Sequence, residues 1–111
     1  MPSYKMVVTS RPTEGREDEY NAWYQNIHLR ELVALPGFKS AQRFRHAHSL
    51  VEGEAEPYMS IYEIETDDID AALDGLRSTA ESGRITMSDS LDLAHVSAVV
   101  YEEFGPVVSA S

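Results

Sequence analysis

Residues 20–28, Tyr-Asn-Ala-Trp-Tyr-Gln-Asn-Ile-His, set three large aromatic rings and an imidazole close together along the chain. Positions 20, 24 and 28 are successive i,i+4 neighbours, so Tyr20, Tyr24 and His28 share a face if the stretch is helical, with Trp23 beside them. An imidazole titrates near neutrality, so His28 can take or give a proton at cellular pH, with Tyr24 as its nearest hydroxyl partner. A histidine in this place can equally be a hydrogen-bonded core residue or hold a bend in the helix. Tyr20, Trp23 and Tyr24 either line a pocket for a flat aromatic compound or pack as ordinary core. Three such rings in five positions, two of them bearing hydroxyls, are dense for a core. Tyr62 and Tyr101, read as lying on inner strands, would add phenols able to polarise a carbonyl or hold an enolate, or pack as core. Arg43 alternates with Phe44 on a strand and could hold a carboxylate or phenolate bidentately, or serve as a surface or dimer-contact residue. Arg45 reads the same way.

Other patterns are weaker. His46 and His48 are two apart at a strand end and would share a face, a spacing that can hold a metal with Glu63 or Glu65. No third ligand has a recognisable spacing, and a solvated pair is the plainer reading, as a structural role is for His95. No glycine-rich phosphate loop, dinucleotide fingerprint or nucleophile elbow occurs, and the glycines are isolated. The run Asp67-Asp68-Ile69-Asp70 suits a helix start and lacks calcium-loop spacing. With no cysteine, disulfides, thiolate metal centres and thiol nucleophiles are excluded. The expectation is a site with no metal and no cofactor.

These residues need elements to place them. Tyr4 to Thr9 is apolar and β-branched and reads as a strand, broken by Arg11-Pro12-Thr13-Glu14-Gly15. Glu17 to Leu35 is the most periodic stretch. Tyr20, Trp23, Tyr24 and Ile27 form one helix face, and Glu17, Asp18 and Glu19 occupy the first turn, where carboxylates favour the helix dipole. Leu29, Leu32, Val33 and Leu35 then shift the apolar stripe, which predicts a bend or second short helix near His28. Pro36-Gly37 ends it. Phe38 to His46 alternates, with Phe38, Ser40, Gln42 and Phe44 on one face and Lys39, Ala41, Arg43 and Arg45 on the other. Residues 49–56 form a polar loop. Pro57 to Glu65 is a strand with Tyr58, Ser60, Tyr62 and Ile64 on one face. Asp67 to Ser82 is an amphipathic helix with Ile69, Ala72, Leu73, Leu76 and Ala80 as its stripe, Thr66 or Asp67 as N-cap and Gly83 as C-terminal cap. Residues 84–93 read as an irregular excursion, Ala94 to Phe104 as the last strand and 107–111 as a tail.

The order β-α-β-β-α-β is that of the ferredoxin-like α+β fold, a four-stranded antiparallel sheet with both helices on one face. The other face is left bare. With Val99 and Tyr101 nearby it cannot be polar throughout, and pairing two such sheets in a C2 dimer would cover it.

The 111 residues predict one domain over 1–111 with a modest core. The net charge of −10 argues against a nucleic-acid partner, since phosphate contacts need clustered Lys and Arg. The charge is uneven. Residues 1–45 carry seven basic against five acidic side chains, whereas residues 46–111 carry only Arg77 and Arg84 against fourteen acids. Solubility explains the excess, and a basic region serving a polar or anionic ligand is the sharper alternative. No apolar run approaches the ~20 residues that span a bilayer, and no signal-peptide pattern opens the chain, so no membrane association and a cytoplasmic location are expected.

The stretch Tyr20 to Leu32, followed by Leu35-Pro36-Gly37-Phe38 and Ser40-Ala41-Gln42-Arg43-Phe44, resembles the dimeric α+β barrel superfamily, and within it the small EthD-like proteins (the ethyl tert-butyl ether degradation group). Their pattern is an aromatic-rich first helix, a His before a Leu/Pro-Glu-Leu turn, a Pro-Gly-Phe stop and a basic strand. Arg30 departs from it, standing where related sequences often carry Pro. The resemblance implies a homodimer whose sheets close into a barrel and a cleft in each subunit between helices and sheet. It also brings forward the functional reading of His28. Members of the superfamily include cyclases, isomerases, lyases, haem-using enzymes and cofactor-free monooxygenases, so fold does not fix reaction.

Three functions follow as expectations. One is a cofactor-independent cyclase, isomerase or lyase with His28 as general acid/base on a small, mostly apolar, aromatic or polyketide-like compound. The second is a haem- or oxygen-dependent oxidoreductase or monooxygenase of the same fold, with His28 or His95 as ligand. The third is a non-catalytic ligand-binding auxiliary protein of a degradative pathway.

Overall fold

The computed structural model describes residues 1–111. Strand β1 (Ser3–Ser10) leads into α1 (Glu17–Trp23), a π-helical turn (Tyr24–His28) and α2 (Leu29–Val33), which together form one continuous helical rod. Strands β2 (Phe38–Arg45) and β3 (Tyr58–Glu65), helix α3 (Ile69–Glu81), a 3-10 turn (Leu93–His95) and β4 (Ser97–Glu102) follow. The sheet is antiparallel with order β2-β3-β1-β4, so β1 and β3 are central and β4 is an edge. This is the ferredoxin-like arrangement expected from the order of elements.

One face of the sheet carries both helices. Met6 of β1, Phe38 of β2 and Tyr62 and Ile64 of β3 are buried against Tyr20, Trp23, Tyr24, Leu29 and Leu32 of the first rod, with Ile85 closing the cluster. The other face is open, and it mixes Val7, Phe44, Met59, Ile61, Val99 and Tyr101 with the ion pair Lys5–Glu63 at 3.4 Å.

Four local expectations are corrected. A bulge between Phe38 and Ser40 breaks the alternation of β2, so Phe38 joins the buried face while Ser40, Gln42 and Phe44 turn to the open one. The N–H of Leu29 bonds the carbonyl of Tyr24, five residues back. That π turn inserts an extra residue into the helical repeat, leaving Ile27 exposed and bringing Leu29 and Leu32 inward. It is also the cause of the stripe shift read near His28. The N-cap of α3 is Asp68, not Thr66 or Asp67, with its carboxylate accepting from Ala71 N–H at 3.0 Å. The last strand is shorter than expected, because Leu93–His95 form a 3-10 turn.

Gly37 is the fixed point of the first turn. Its φ of +88° lies in the left-handed region, and a Cβ there would meet the Glu65 carbonyl oxygen at 3.5 Å. No helix is long and apolar enough to cross a membrane.

Candidate functional site

Between the first rod, α3 and the sheet lies a cavity of about 240 Å³. Its walls come from Met6, Val8 and Ser10 of β1, Tyr24, His28 and Leu32 of the rod, and Leu76 and Ala80 of α3. The segment after α3 supplies Ile85, Met87, Leu91 and Leu93, and the β4 end supplies Val96 and Ala98. All but Ser10 and His28 are apolar or aromatic. A space so lined favours an apolar ligand and leaves few groups to orient it.

The π turn places the central pair. Tyr24 opens it and His28 closes it, and their rings meet perpendicular at 5.1 Å. Trp23 stacks on the imidazole at 4.7 Å and is itself fixed by its indole N–H, which donates to the Thr86 carbonyl at 3.0 Å. Thr86 is held in turn, its N–H and hydroxyl both donating to the Glu31 carboxylate at 2.8 Å. His28 packs against both rings, which also meet each other at 5.3 Å, and its Nδ1 is buried with no partner. Burial pushes its pKa down to about 4, against a smaller upward pull from Glu31. The imidazole is neutral at neutral pH, a hydrogen-bonding group and base and not a proton donor at rest.

Behind Tyr24 the phenols form a second layer. The Tyr20 and Ser10 hydroxyls share a hydrogen bond of 2.6 Å, which ties the rod to β1 at the cavity wall. Burial raises the Tyr20 pKa, with the Ser10 bond opposing. The Tyr62 hydroxyl is buried without a hydrogen-bond partner, and burial, then the neighbouring Tyr24, push its pKa up. It stays protonated, as a donor beside Tyr24 would.

Of the seven residues singled out from the sequence, His28 and Tyr24 line the cavity. Trp23, Tyr20 and Tyr62 support those two from behind. The remaining two lie outside the cavity. Arg43 lies over the face of Tyr24 at 4.8 Å, outside the cavity. Tyr101 is on the edge strand β4, not an inner one. It pairs with Lys5 on the open face, 61% exposed, because the period of two in β4 turns Val100 and Ala98 toward the helices instead. His46 bonds Ser49 at 2.8 Å, and His95 bonds Asp92 at 2.9 Å. No three His, Asp or Glu side chains converge as a metal-binding group.

The segment 84–93 is the part of the site that sequence reasoning missed. Before the 3-10 turn that opens at Leu93 it has no regular structure, but it is tied down. Thr13 N–H donates to the Ser90 carbonyl at 2.6 Å, Asp92 N–H to the Arg11 carbonyl at 3.1 Å, and Pro12 bridges Leu91. Its signal was the spacing of Ile85 and Met87, then Leu91 and Leu93, apolar side chains two apart in an otherwise polar stretch.

No family model matches the chain, and no curated protein matches it. Solved structures do. An EthD-family protein from Bacillus halodurans C-125 is 17% identical over 94% of this chain and 100% of its own, with a TM-score of 0.64. A dimeric ferredoxin-like protein of unknown function from Jannaschia sp. CCS1 is 16% identical over 91% and 99%, with a TM-score of 0.65. A provisionally assigned monooxygenase from Shewanella loihica PV-4 is 14% identical over 99% of both chains, with a TM-score of 0.58. At these identities the likeness is one of fold, and the chain has the ferredoxin-like α+β fold shared by these EthD-type and dimeric ferredoxin-like proteins.

Proposed function

We propose that the protein is a cofactor-independent enzyme of cyclase, isomerase or lyase type, acting on a small, mostly apolar aromatic or polyketide-like compound held against His28. The observation that carries this reading is a mostly apolar cavity with His28 in its wall, the imidazole Nδ1 buried and left without a partner. An unpaired buried polar atom is costly, about 1–3 kcal/mol, and a ligand hydroxyl or acidic C–H would relieve it. Within this reading the lowered pKa of His28 refines the role. A neutral His28 abstracts a proton from an enolisable carbon or an enol and returns it later, so general base comes before general acid. Tyr24, next to it, donates to the oxygen where negative charge develops. At about 240 Å³ the cavity suits one or two rings, below the ~300–1,000 Å³ typical of drug-sized ligands.

The depressed pKa of His28 also supports a second reading, a binding protein in which the imidazole only accepts a ligand hydrogen bond. A panel of one- and two-ring phenols and enolisable ketones separates the two. Under the first reading, solvent deuterium exchanges into a bound ketone, and His28→Gln abolishes the exchange. Under the second, ligands raise Tm without exchange or turnover. Undiminished turnover in His28→Gln removes His28 from the mechanism.

The reading includes a homodimer, supported by the apolar strip Val7, Ile61 and Val99 on the open face and by the dimeric description of the Jannaschia protein. Light scattering should give about twice the 12.4 kDa chain mass, and a monomer mass at working concentration contradicts it.

A further inference from the structure

Four of the seven guanidinium groups, those of Arg30, Arg43, Arg45 and Arg84, stand outside the ion pairing of this acidic chain. Arg11, Arg16 and Arg77 each reach a carboxylate. Arg43 and Arg45, two positions apart on one face of β2, reach none. Arg43 is also unusually fixed. Its guanidinium carbon lies 4.8, 5.3 and 5.5 Å from the ring centres of Tyr24, Tyr58 and Tyr20. One Nη donates to Asn21 Oδ1 at 2.7 Å, and Nε is buried with no acceptor. Asn21 is oriented for this by its own amide, which donates to the Tyr58 hydroxyl at 3.2 Å.

Asn21, Arg43, Phe44, Arg45 and Tyr58 line an open concavity of about 360 Å³ that shares no lining residue with the His28 cavity. Of the bordering acids, Glu17 is engaged by the Tyr58 hydroxyl and Glu56 by Arg11, while Glu54 lines the adjoining groove with Arg45. A half-buried cation, held by three rings and an amide and left without a counter-ion, is preorganised for an anion. The planar fork of a guanidinium matches a carboxylate, and little rotamer entropy remains to be lost at Arg43.

We propose that this concavity binds a small carboxylate, with Arg43 as the fixed guanidinium and Arg45 as the mobile one that closes on the ligand. The site is separate from the His28 cavity and does not depend on what that cavity does.

Succinate is the probe, because an aliphatic dianion does not suit the apolar cavity. It is titrated into the full chain at constant ionic strength, followed by NMR of the Asn21 side-chain amide and the arginine Nε–H signals. Those signals should shift and saturate in the millimolar range, while the His28 ring signals stay in place. Arg45→Gln, on an exposed side chain, should weaken binding about tenfold, as loss of one charge-assisted contact does. Arg43→Lys, which keeps the charge but loses the fork, should weaken it at least as much. The proposal is overturned if the shifts do not saturate, if chloride alone reproduces them, or if Arg45→Gln binds succinate as the parent does. Inorganic phosphate binding more tightly than succinate overturns the carboxylate assignment.

Discussion

The two helical segments lie on the same face of one sheet and are held there by different means. The first rod, Glu17–Val33, contributes Tyr20, Trp23, Tyr24, Leu29 and Leu32, half of the ten-residue buried cluster. Helix α3 contributes none and meets that cluster only through the half-buried Ile69, Ala72 and Leu76. The first rod begins at Arg16 with no side-chain cap bond, whereas α3 begins on a capping aspartate. One segment is fixed by tertiary packing of large rings, the other mainly by its own local chemistry. The seam between them is where packing is incomplete, and the cavity with His28 on one wall and Leu76 and Ala80 on the other occupies it. In this fold the site is a consequence of unequal helices: the well-packed one positions the polar groups, and the loosely packed one leaves them room.

Truncating one anchor on each side tests that difference most strongly. Trp23→Ala removes a ring that is 6% exposed, stacked on His28 and bonded to Thr86. It should lower unfolding free energy by about 3–5 kcal/mol in chemical denaturation, the range for large aromatic truncations in a core. Leu76→Ala removes a half-buried side chain that already borders empty space, so little new cavity forms. Its cost should be about 1–2 kcal/mol, below the ~2–5 kcal/mol of fully buried leucines. Equal costs at the two positions would break the comparison.

A smaller effect isolates the polar group that the first rod buries. The His28 pKa falls from 6.5 in the unfolded chain to about 4 in the folded one. Above pH 6.5 both states are neutral at this residue and it has no effect on stability. As pH falls from 6.5 toward 4 the unfolded chain takes up the proton first, and the folded state is progressively disfavoured. The full penalty is about 3 kcal/mol, reached below the folded pKa. Asp89 and Asp92, whose carboxyls the bonds to Arg16 and His95 hold low, lose their contribution at more acid pH. Comparing the parent with His28→Gln over this window removes those carboxyls from the result. Parallel pH–stability curves for the two chains would show that the imidazole is not buried as described.

How much of this was legible in the sequence follows the same division. The first rod was visible because large aromatics at i, i+3 and i+4 leave few ways to bury them, and a shift in the stripe announced the π turn without revealing that it ejects Ile27. The strands were legible from alternation, but their places in the sheet were not, since β4 was read as an inner strand and is an edge. The bulge at β2 was not, because an extra residue alters the face of Phe38 without altering its residue type. Tyr101 was misplaced for a related reason: a strand with valines on both faces, Val99 and Val100, does not say which face meets the helices. Arg43 was recognised as a cation on the correct face, but only three dimensions show that Tyr24 stands between it and the cavity. Segment 84–93 escaped because its apolar residues follow loop geometry set by bonds to Thr13, Arg11 and Glu31, which are distant in the chain.

The smallest predicted effect addresses the other side of the comparison. If α3 is held mainly by local chemistry, the cap should matter there in a way that no single local bond matters to the first rod. Asp68 accepts from Ala71 N–H at 3.0 Å, and its own N–H donates to Thr66 Oγ1 at 3.1 Å, so the turn before the helix is fixed from both sides. Asp68→Ala removes the acceptor and the favourable charge at the helix start and should cost about 1 kcal/mol. That loss should be local. Amide exchange should accelerate at Ala71 and Ala72 and fade along the thirteen residues of α3, with Trp23 and Tyr24 amides unaffected. Uniform acceleration through both segments would mean that α3 opens only with the whole domain, and that the seam is less independent than its half-buried side chains indicate. Exchange confined to the first turn of α3 would mark that helix as the element able to give way when a ligand enters between it and His28.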